Sequence, residues 1–302
     1  MAARVISVGI AVMDRIFAID AIPTEPTKVF ARSCTEIGGG PAATGAATAS
    51  HLGGEVELWA RVGDDPIGRR IVEELKEWGV VPQVRHVPGG RSGVSSIAVA
   101  NDGERLIFAF ADPALDTDTA WLPIERLANA DCVLVDLRWP KASERVLHEA
   151  QRKGIPSVLD ADLTTDDIAR TLVPLAGYAI FSLPALRRFT GQTSPGDGLT
   201  VAQSACKGRV GVTLGAEGFL WLDAGRLEHE PGFAVSAIDT LGAGDVFHGA
   251  FALAIAEGRD MRQAGRFANA AAALKCTRFG GRAGIPTREE TEALLQTSRT
   301  TA

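Results

Sequence analysis

Cysteines are few and never paired in spacing. Cys34, Cys132, Cys206 and Cys276 are scattered through 302 residues without a CxxC motif. A structural zinc site or a disulfide framework is therefore not expected, and reduced thiols are. Long apolar runs are missing too. No stretch approaches the roughly 20 residues that a membrane span needs. The first twenty residues, "MAARVISVGIAVMDRIFAID", show no signal-peptide pattern, so a cytoplasmic location is the expectation. There is no excess of positive charge either: the net charge of −6 argues against a surface built to hold nucleic acid. Repeats of solenoid period and linker-like stretches are also absent, which leaves one domain over residues 1–302.

What is present is an alternation of strands and helices. "DCVLVDL" (131–137), "IPSVLDAD" (155–162), "GYAIFS" (177–182) and "RVGVTLG" (209–215) read as buried strands, and "RVISVGIAVMD" starts with one. Between the first two, "SERVLHEAQRKG" (143–154) reads as a helix capped by Ser143 and stopped by Gly154. Asp65-Pro66 opens another helix whose Ile67, Ile71, Leu75 and Trp78 share a face. Thr287 and Glu290 have capping-box spacing before a last helix. This is βαβ logic, and the fold class is α/β, a mostly parallel sheet with helices on both faces. Two segments, about 15–36 and 91–111, alternate like half-exposed strands. The second contains the hairpin signal "NDG" (Asn101 to Gly103). They are expected to form a small projecting sheet that serves as a lid or a dimer contact.

Ligands of open α/β sheets sit outside the carboxyl ends of the strands. Asp136, Arg138 and Trp139 follow one strand, Asp160 and Asp162 the next, Ser182 a third and "TLGAEG" a fourth. A single acid there is as readily a cap as a ligand, so the glycine clusters are the sharper signal. "GGGPAATGAATASHLGG" (38–54) places three glycines before an Ala/Thr-rich helix. A tightly packed core helix accounts for the alanines better than for Gly38, Gly39 and Gly40. "DTLGAGDVFHGA" (239–250) puts Gly242-Ala243-Gly244 at the start of a helix expected over 243–257. Such a turn offers free N–H groups and the positive end of the helix dipole, an anion site. Asp245 follows in the first turn. A carboxylate beside an anion cradle can act as general base for a hydroxyl attacking phosphorus; it can also merely complement the dipole. No GK[ST] follows, and Phe247 stands where GxGxxG needs its last glycine, so neither a Walker loop nor a dinucleotide fingerprint is present. Asp239 is expected to shape the turn or to lie near metal-bound water, and His248 to pack or orient.

These stretches resemble the signatures of the ribokinase-like (PfkB) carbohydrate kinases. "DTLGAGDVFHGAFALAIAEG" resembles the second signature, and "GGGPAATGAATASHLGG" with "ARVGDDPIG" the first. "VTLGAEG" resembles the nucleotide-phosphate loop, and "FANAAAALKCTRFGGRAGIP" the segment that borders adenine. The resemblance implies a three-layer ribokinase-like fold, a β lid that clasps a second subunit in a homodimer, and ATP with Mg²⁺. It implies Asp245 as catalytic base and Gly242, Ala243 and Gly244 as anion hole. Asp14 and the Gly38–Gly40 turn would meet sugar hydroxyls. Thr213, Gly215 and Gly218 would follow the nucleotide phosphates, and Asn269 and Ala272 would border the base. The chain departs from the pattern at Thr44, where the family commonly has Asn. It departs again at "SLPA" (182–185), where an N-x-x-E motif is expected. Asp160 and Asp162 are then the nearest acids able to hold Mg²⁺, in part through water.

Lys28, Arg105 and Arg138 suggest an anionic acceptor. "GIAVMDR", "GGGPAAT", "DLRWP" and "ALKCTRFGGRAGIP" look most like the sulfofructose kinase branch. That branch surrounds its sulfonate with Lys, Asn and Arg; Lys28 and Arg138 match, and Ala109 stands in the Asn place. The expected activity is ATP-dependent phosphorylation of a primary hydroxyl of a ketose such as 6-deoxy-6-sulfofructose. Open alternatives are a neutral-sugar kinase of fructokinase or ribokinase type, a nucleoside kinase, and a non-catalytic sugar-binding module.

Overall fold

Short apolar runs separated by helix caps and glycine stops build βαβ units along most of the chain. The computed structural model describes residues 2–101, 103–115, 118–164 and 167–297. The strands are β1 Arg4–Val8, β2 Val12–Ala18, β3 Ser33–Gly39, β4 Glu55–Gly63, β5 Val81–Val87, β6 Gly93–Val99, β7 Arg105–Phe110, β8 Cys132–Asp136, β9 Ser157–Ala161, β10 Tyr178–Ser182, β11 Arg209–Thr213, β12 Phe219–Asp223 and β13 Arg226–Glu230. The helices are α1 Pro41–His51, α2 Pro66–Glu77, α3 Pro140–Lys153, α4 Ile168–Leu172, α5 Leu183–Thr190, α6 Pro195–Ala205, α7 Ala243–Ala256, α8 Met261–Cys276 and α9 Arg288–Thr297. No helix among the described residues is long and apolar enough to cross a membrane. All four cysteines are free thiols.

Nine strands form the central sheet in the order β13-β12-β11-β10-β9-β8-β1-β4-β5. It is parallel from β11 to β5, and β12 and β13 run antiparallel at one edge. One apolar core joins the sheet to α1, α2, α7 and α8, and a second joins its other face to α3, α5 and α6. The three-layer ribokinase-like α/β expectation is met. The chain leaves β1 toward β4 and β5, then returns to β8 and runs the other way. That order places the topological switch point at the carboxyl ends of β1 and β8, where a crevice opens. Asp136 ends β8 there. Its buried carboxylate accepts the N–H groups of Ile10 (2.8 Å), Arg138 (2.8 Å) and Ala42 (3.2 Å), tying three loops to one side chain.

A separate four-stranded sheet, β3-β2-β6-β7, makes the lid. It starts at Val12, earlier than the sequence pattern suggests, because "RVISVGIAVMD" splits into β1 of the main sheet and β2 of the lid. Ala100 N–H donates to Glu104 O at 2.9 Å between β6 and β7, as "NDG" implies, although Asp102 itself lies outside the described residues. The underside of the lid packs Ile16, Ile97 and Val99 on Leu241. Its outer strand β7 is exposed along its whole length.

Two local expectations need correction. Ser143 is not a cap: α3 begins three residues earlier because Pro140 fits the first helical position, and the Ser143 hydroxyl donates instead to Asp136 O at 2.7 Å. Gly38 and Gly39 are the end of β3 rather than a turn, and Gly40 alone turns the chain into α1 at φ 93°. The Asp65 cap and the Thr287–Glu290 capping box both form.

Candidate active site

Helix α7 starts at the crevice. Gly242, at φ 74°, holds the left-handed conformation that only glycine enters cheaply, and it caps the helix. A cavity of about 500 Å³ opens beside that turn. Thr213, Gly215, Gly218, Ala243, Gly244, Asn269 and Ala272 all line it, which brings together every residue expected along a nucleotide. Phe233, Val235, Thr240, Phe247 and Cys276 line it as well and were not singled out: Phe233 and Val235 lie outside the signature stretches, and Thr240, Phe247 and Cys276 lie within them without a role of their own. A Cβ built on Gly244 would meet no atom within 4 Å, so the empty space there is a cradle that a ligand can fill. Asn269 also has a structural part. Its amide donates to Glu230 O (3.1 Å) and Pro231 O (3.3 Å), holding the cavity wall in place.

The turn itself is pinned from below. Asp239 accepts the N–H of Leu241 at 2.8 Å and those of Gly280 and Gly281 at 3.0 and 3.4 Å. Lys275 Nζ lies 3.2 Å from its carboxylate, both side chains being fully buried, and donates to Asp239 O at 2.9 Å. Burial works to raise the Asp239 carboxyl, but Lys275 and the N–H donors outweigh it and hold it low. Asp239 therefore shapes the turn, one of the two roles expected of it. The buried lysine was not legible in the sequence.

Asp245, in the first turn of α7, faces other acids. Burial and the nearby charges of Asp160, Asp162 and Asp14 push its carboxyl up to about 8, while His248 works to lower it. A base with that affinity for a proton suits deprotonation of an alcohol near neutral pH. His248 is buried, with one ring nitrogen 2.7 Å from Gly244 O and the other 3.2 Å from Ile180 O. It anchors the first turn of α7 to β10 and lies 3.4 Å from Asp160 Oδ2, an arrangement consistent with the orienting part expected of it.

Asp14, on β2, is half-buried, and its carboxyl is raised by burial against the opposing effects of Ser95 and Arg282. Gly39 leaves room for it: a Cβ there would lie 2.0 Å from Asp14 Oδ2. Thr44 is buried, and its hydroxyl accepts from Arg282 Nε at 3.2 Å. Arg282 and Glu74 complete this wall, and neither was expected from the sequence; the glycines flanking Arg282 were the available hint. Of the three cations, Arg138 lies beside the acids. Its Nη2 donates to Leu163 O at 2.7 Å and is 4.0 Å from Asp162. Lys28 is exposed on the loop between β2 and β3, its ammonium 6.0 Å from the Phe30 ring. Arg105 starts β7, and its charge acts on Lys275 and Cys276 by the cavity instead. The three cations have different neighbours, and no residue is shared among those given for them.

Asp160 is buried, and its Oδ1 has no hydrogen-bond partner. Burial, with the charges of Asp162 and Asp136, raises its carboxyl well above the usual range. An orphaned carboxylate oxygen of this kind fits a divalent cation. Ser182, in the place of the expected Asn, caps α5 and donates to Asp162 Oδ1 at 2.8 Å. Among the described residues no three acids, histidines or cysteines gather as a metal cage. The set therefore suits an ion held mostly by phosphate and water, as Mg²⁺ is.

Comparison with known proteins agrees with this arrangement. Residues 2–288 match the profile described as pfkB family carbohydrate kinase. The ribokinase of Bacillus subtilis (strain 168) is 30% identical over 297 residues, covering 95% of this chain and 98% of the relative. A ribokinase-like protein of Agrobacterium tumefaciens superposes with a TM-score of 0.95 at 40% identity over 99% of both chains. Arabidopsis thaliana ribokinase, solved with ribose and ATP, superposes at 0.86 with 26% identity over 98% of this chain and 99% of its own. With a glycine turn, a raised aspartate and a cradle in the places the signatures predict, the chain belongs to the pfkB family of carbohydrate kinases and is a sugar kinase.

Proposed function

We propose that the protein transfers the γ-phosphoryl group of ATP, bound with Mg²⁺, to a primary hydroxyl of a ketose carrying an anionic group, such as 6-deoxy-6-sulfofructose. The observation that carries the transfer is the position of Asp245, between the cradle of α7 and the acids around Asp14. Asp245 takes the proton of the attacking hydroxyl. The N–H groups of Gly242 and Gly244 face the phosphoryl group as charge builds on it, whereas that of Ala243, expected with them, donates to Thr240 O at 3.2 Å. Mg²⁺ neutralises phosphate charge, and Asp160, with Asp162 through water, is the group on this chain that would hold it. Asp14 and Thr44 meet the sugar hydroxyls, and Arg138 meets the anionic substituent.

A neutral acceptor of ribose type is the second reading. It is favoured by the different neighbours of Lys28, Arg105 and Arg138, and by the ribokinase names of the relatives. The test is ADP release with ribose, fructose, fructose 6-phosphate and 6-deoxy-6-sulfofructose. The anionic reading expects a sulfonated or phosphorylated ketose to give the highest kcat/KM, and Arg138→Ala to lower it by about 10-fold or more. Fastest turnover of ribose, unaffected by that substitution, overturns it.

The lid edge is apolar and exposed: Phe108 (64% exposed) stands on the outer face of β7, Ile107 (49%) on the opposite face with Ile97, and Phe30 (83%) on the β2–β3 loop. A second copy of the chain covers this edge in our reading, since an apolar edge strand left in water is an association site. Sedimentation is expected to give a dimer that Phe108→Asp dissociates; a monomeric wild type would sink the reading.

A further inference from the structure

Arg282 is a guanidinium almost without access to solvent, and the transfer described above does not use it. It stands in the 3₁₀ turn Gly281–Gly284, 238 residues along the chain from Thr44. Its Nε donates to Thr44 Oγ1 at 3.2 Å, and Nη2 donates to Gly39 O at 2.8 Å. Nη1 lies 3.7 Å from Glu74 Oε1 and has no hydrogen-bond partner. Glu74 is itself occupied, both of its oxygens accepting the Gly38 N–H at 2.8 Å. Arg282 thus touches β3, α1 and α2, the elements that wall in Asp14. The opposing charges that act on it are, in decreasing strength, Glu74, Asp14 and Asp245.

The space for this side chain is made by a missing one. A Cβ at Gly38 would lie 2.3 Å from Arg282 Nη1 and 3.0 Å from Glu74 Oε1. Gly38 and Arg282 are therefore a matched pair, as Gly39 and Asp14 are. Burying an arginine with one nitrogen unanswered is costly, and an apolar side chain of similar volume would fill the space more cheaply. Thr44 sets a second constraint. Its hydroxyl is short, and the orientation of that hydroxyl is set by the bond from Nε.

We infer that Arg282 is a positioning residue of the acceptor site: it fixes the Gly39 carbonyl and the Thr44 hydroxyl around Asp14, so that sugar binding depends on a side chain delivered from the far end of the sequence. The inference rests on the reading that places the acceptor at Asp14. It predicts an effect mainly on the acceptor, since among the described residues the Arg282 side chain donates to Thr44 and Gly39 and stands beside Glu74, none of which lines the donor cavity.

The test is steady-state kinetics with ATP and acceptor varied separately, using whichever of ribose, fructose or 6-deoxy-6-sulfofructose turns over fastest. Arg282→Ala is expected to raise the acceptor KM by about 10- to 100-fold, as loss of charged hydrogen bonds does, with the ATP KM changed less than about twofold. Guanidinium at low millimolar concentration should recover part of the loss by re-entering the vacated space. Arg282→Lys should fall between, because one ammonium cannot serve both Thr44 and Gly39. If Arg282→Ala does not fold, Arg282→Lys and Gly38→Ala, which crowds the guanidinium, carry the same expectation. A parallel rise in both KM values, or a lowered Tm with an unchanged acceptor KM, overturns the inference. Asp14→Asn separates the two levels: an unchanged acceptor KM in that variant means the acceptor site itself is misplaced. A raised one beside an unaffected Arg282→Lys means that only Arg282 is.

Discussion

The proposed donor cavity and acceptor wall lie on either side of Asp245 in our reading and are built in opposite ways. The cavity is lined mostly by glycine and alanine, with uncharged side chains such as Phe233, Val235 and Phe247 between them, drawn from three short stretches, 213–218, 232–247 and 269–276. The acceptor wall is made of charged side chains from β2, α2 and the Gly281–Gly284 turn, set against glycines of β3. In the proposed reading, phosphate is met by N–H groups whose direction the chain path alone determines. Sugar hydroxyls are met, in the same reading, by side chains that have to be held by other side chains. A change in the cavity should therefore act through local backbone shape, and a change in the wall through partners distant in sequence.

The largest effect expected is at the point where the two halves join. Asp245→Asn should cut turnover by about 10³-fold while ATP still binds, since a general base is removed and no nucleotide contact is. It should also stabilise the fold. The Asp245 carboxyl sits at about 8 in the folded chain against 3.8 for an ordinary aspartate. Between those values the folded state holds the extra proton, so stability falls as pH rises through that window. The variant should melt above the wild type at pH 8, with the gap closing toward pH 4. Retained turnover, or a lower Tm at pH 8, would break the assignment.

The next effect sharpens the backbone side of the contrast. Gly244→Val adds atoms where the protein has none nearby, so Tm should hold while kcat/KM for ATP falls by about 100-fold. Gly242→Ala should do the reverse in part, losing about 1–2 kcal/mol of stability through its left-handed conformation. Thermal melts beside kinetics check the pair, and equal Tm losses in both would erase the distinction.

The smallest effect tests whether both halves share one electrostatic field. With Asp245 as base, kcat/KM should rise with pH through about 8. The charge of Asp160 helps to hold that limb high, so Asp160→Asn should move it to lower pH whatever it does to the rate. A limb that stays in place would mean that the acids titrate independently.

The same contrast explains what could be read from the sequence. The cavity was legible in part: Thr213, Gly215, Gly218, Asn269 and Ala272 followed from the resemblance to the family signatures and Gly244 from the glycine turn before α7, while Phe233, Val235 and Phe247 were not foreseen as lining it. The sheet and its helices were legible from periodicity, with errors at boundaries where Pro140 outweighed Ser143 and where one apolar run served two sheets. The wall was legible only by half. Asp14 and Thr44 belong to recognisable stretches, but Arg282, Glu74 and Lys275 owe their meaning to residues 36 to 238 positions away. No spacing rule reaches that far. For the same reason Lys28, Arg105 and Arg138 looked alike in sequence, although the fold gives them different neighbours.

The carboxylate of Asp136 has a further consequence. By gathering N–H groups from the loop after β1, the start of α1 and the loop after β8, it makes three chain segments one rigid frame before any ligand arrives. Loop entropy is surrendered at folding rather than at each encounter, so a sugar entering the crevice has little chain left to order. Its binding can then go toward alignment with phosphorus instead of assembling its own receptor.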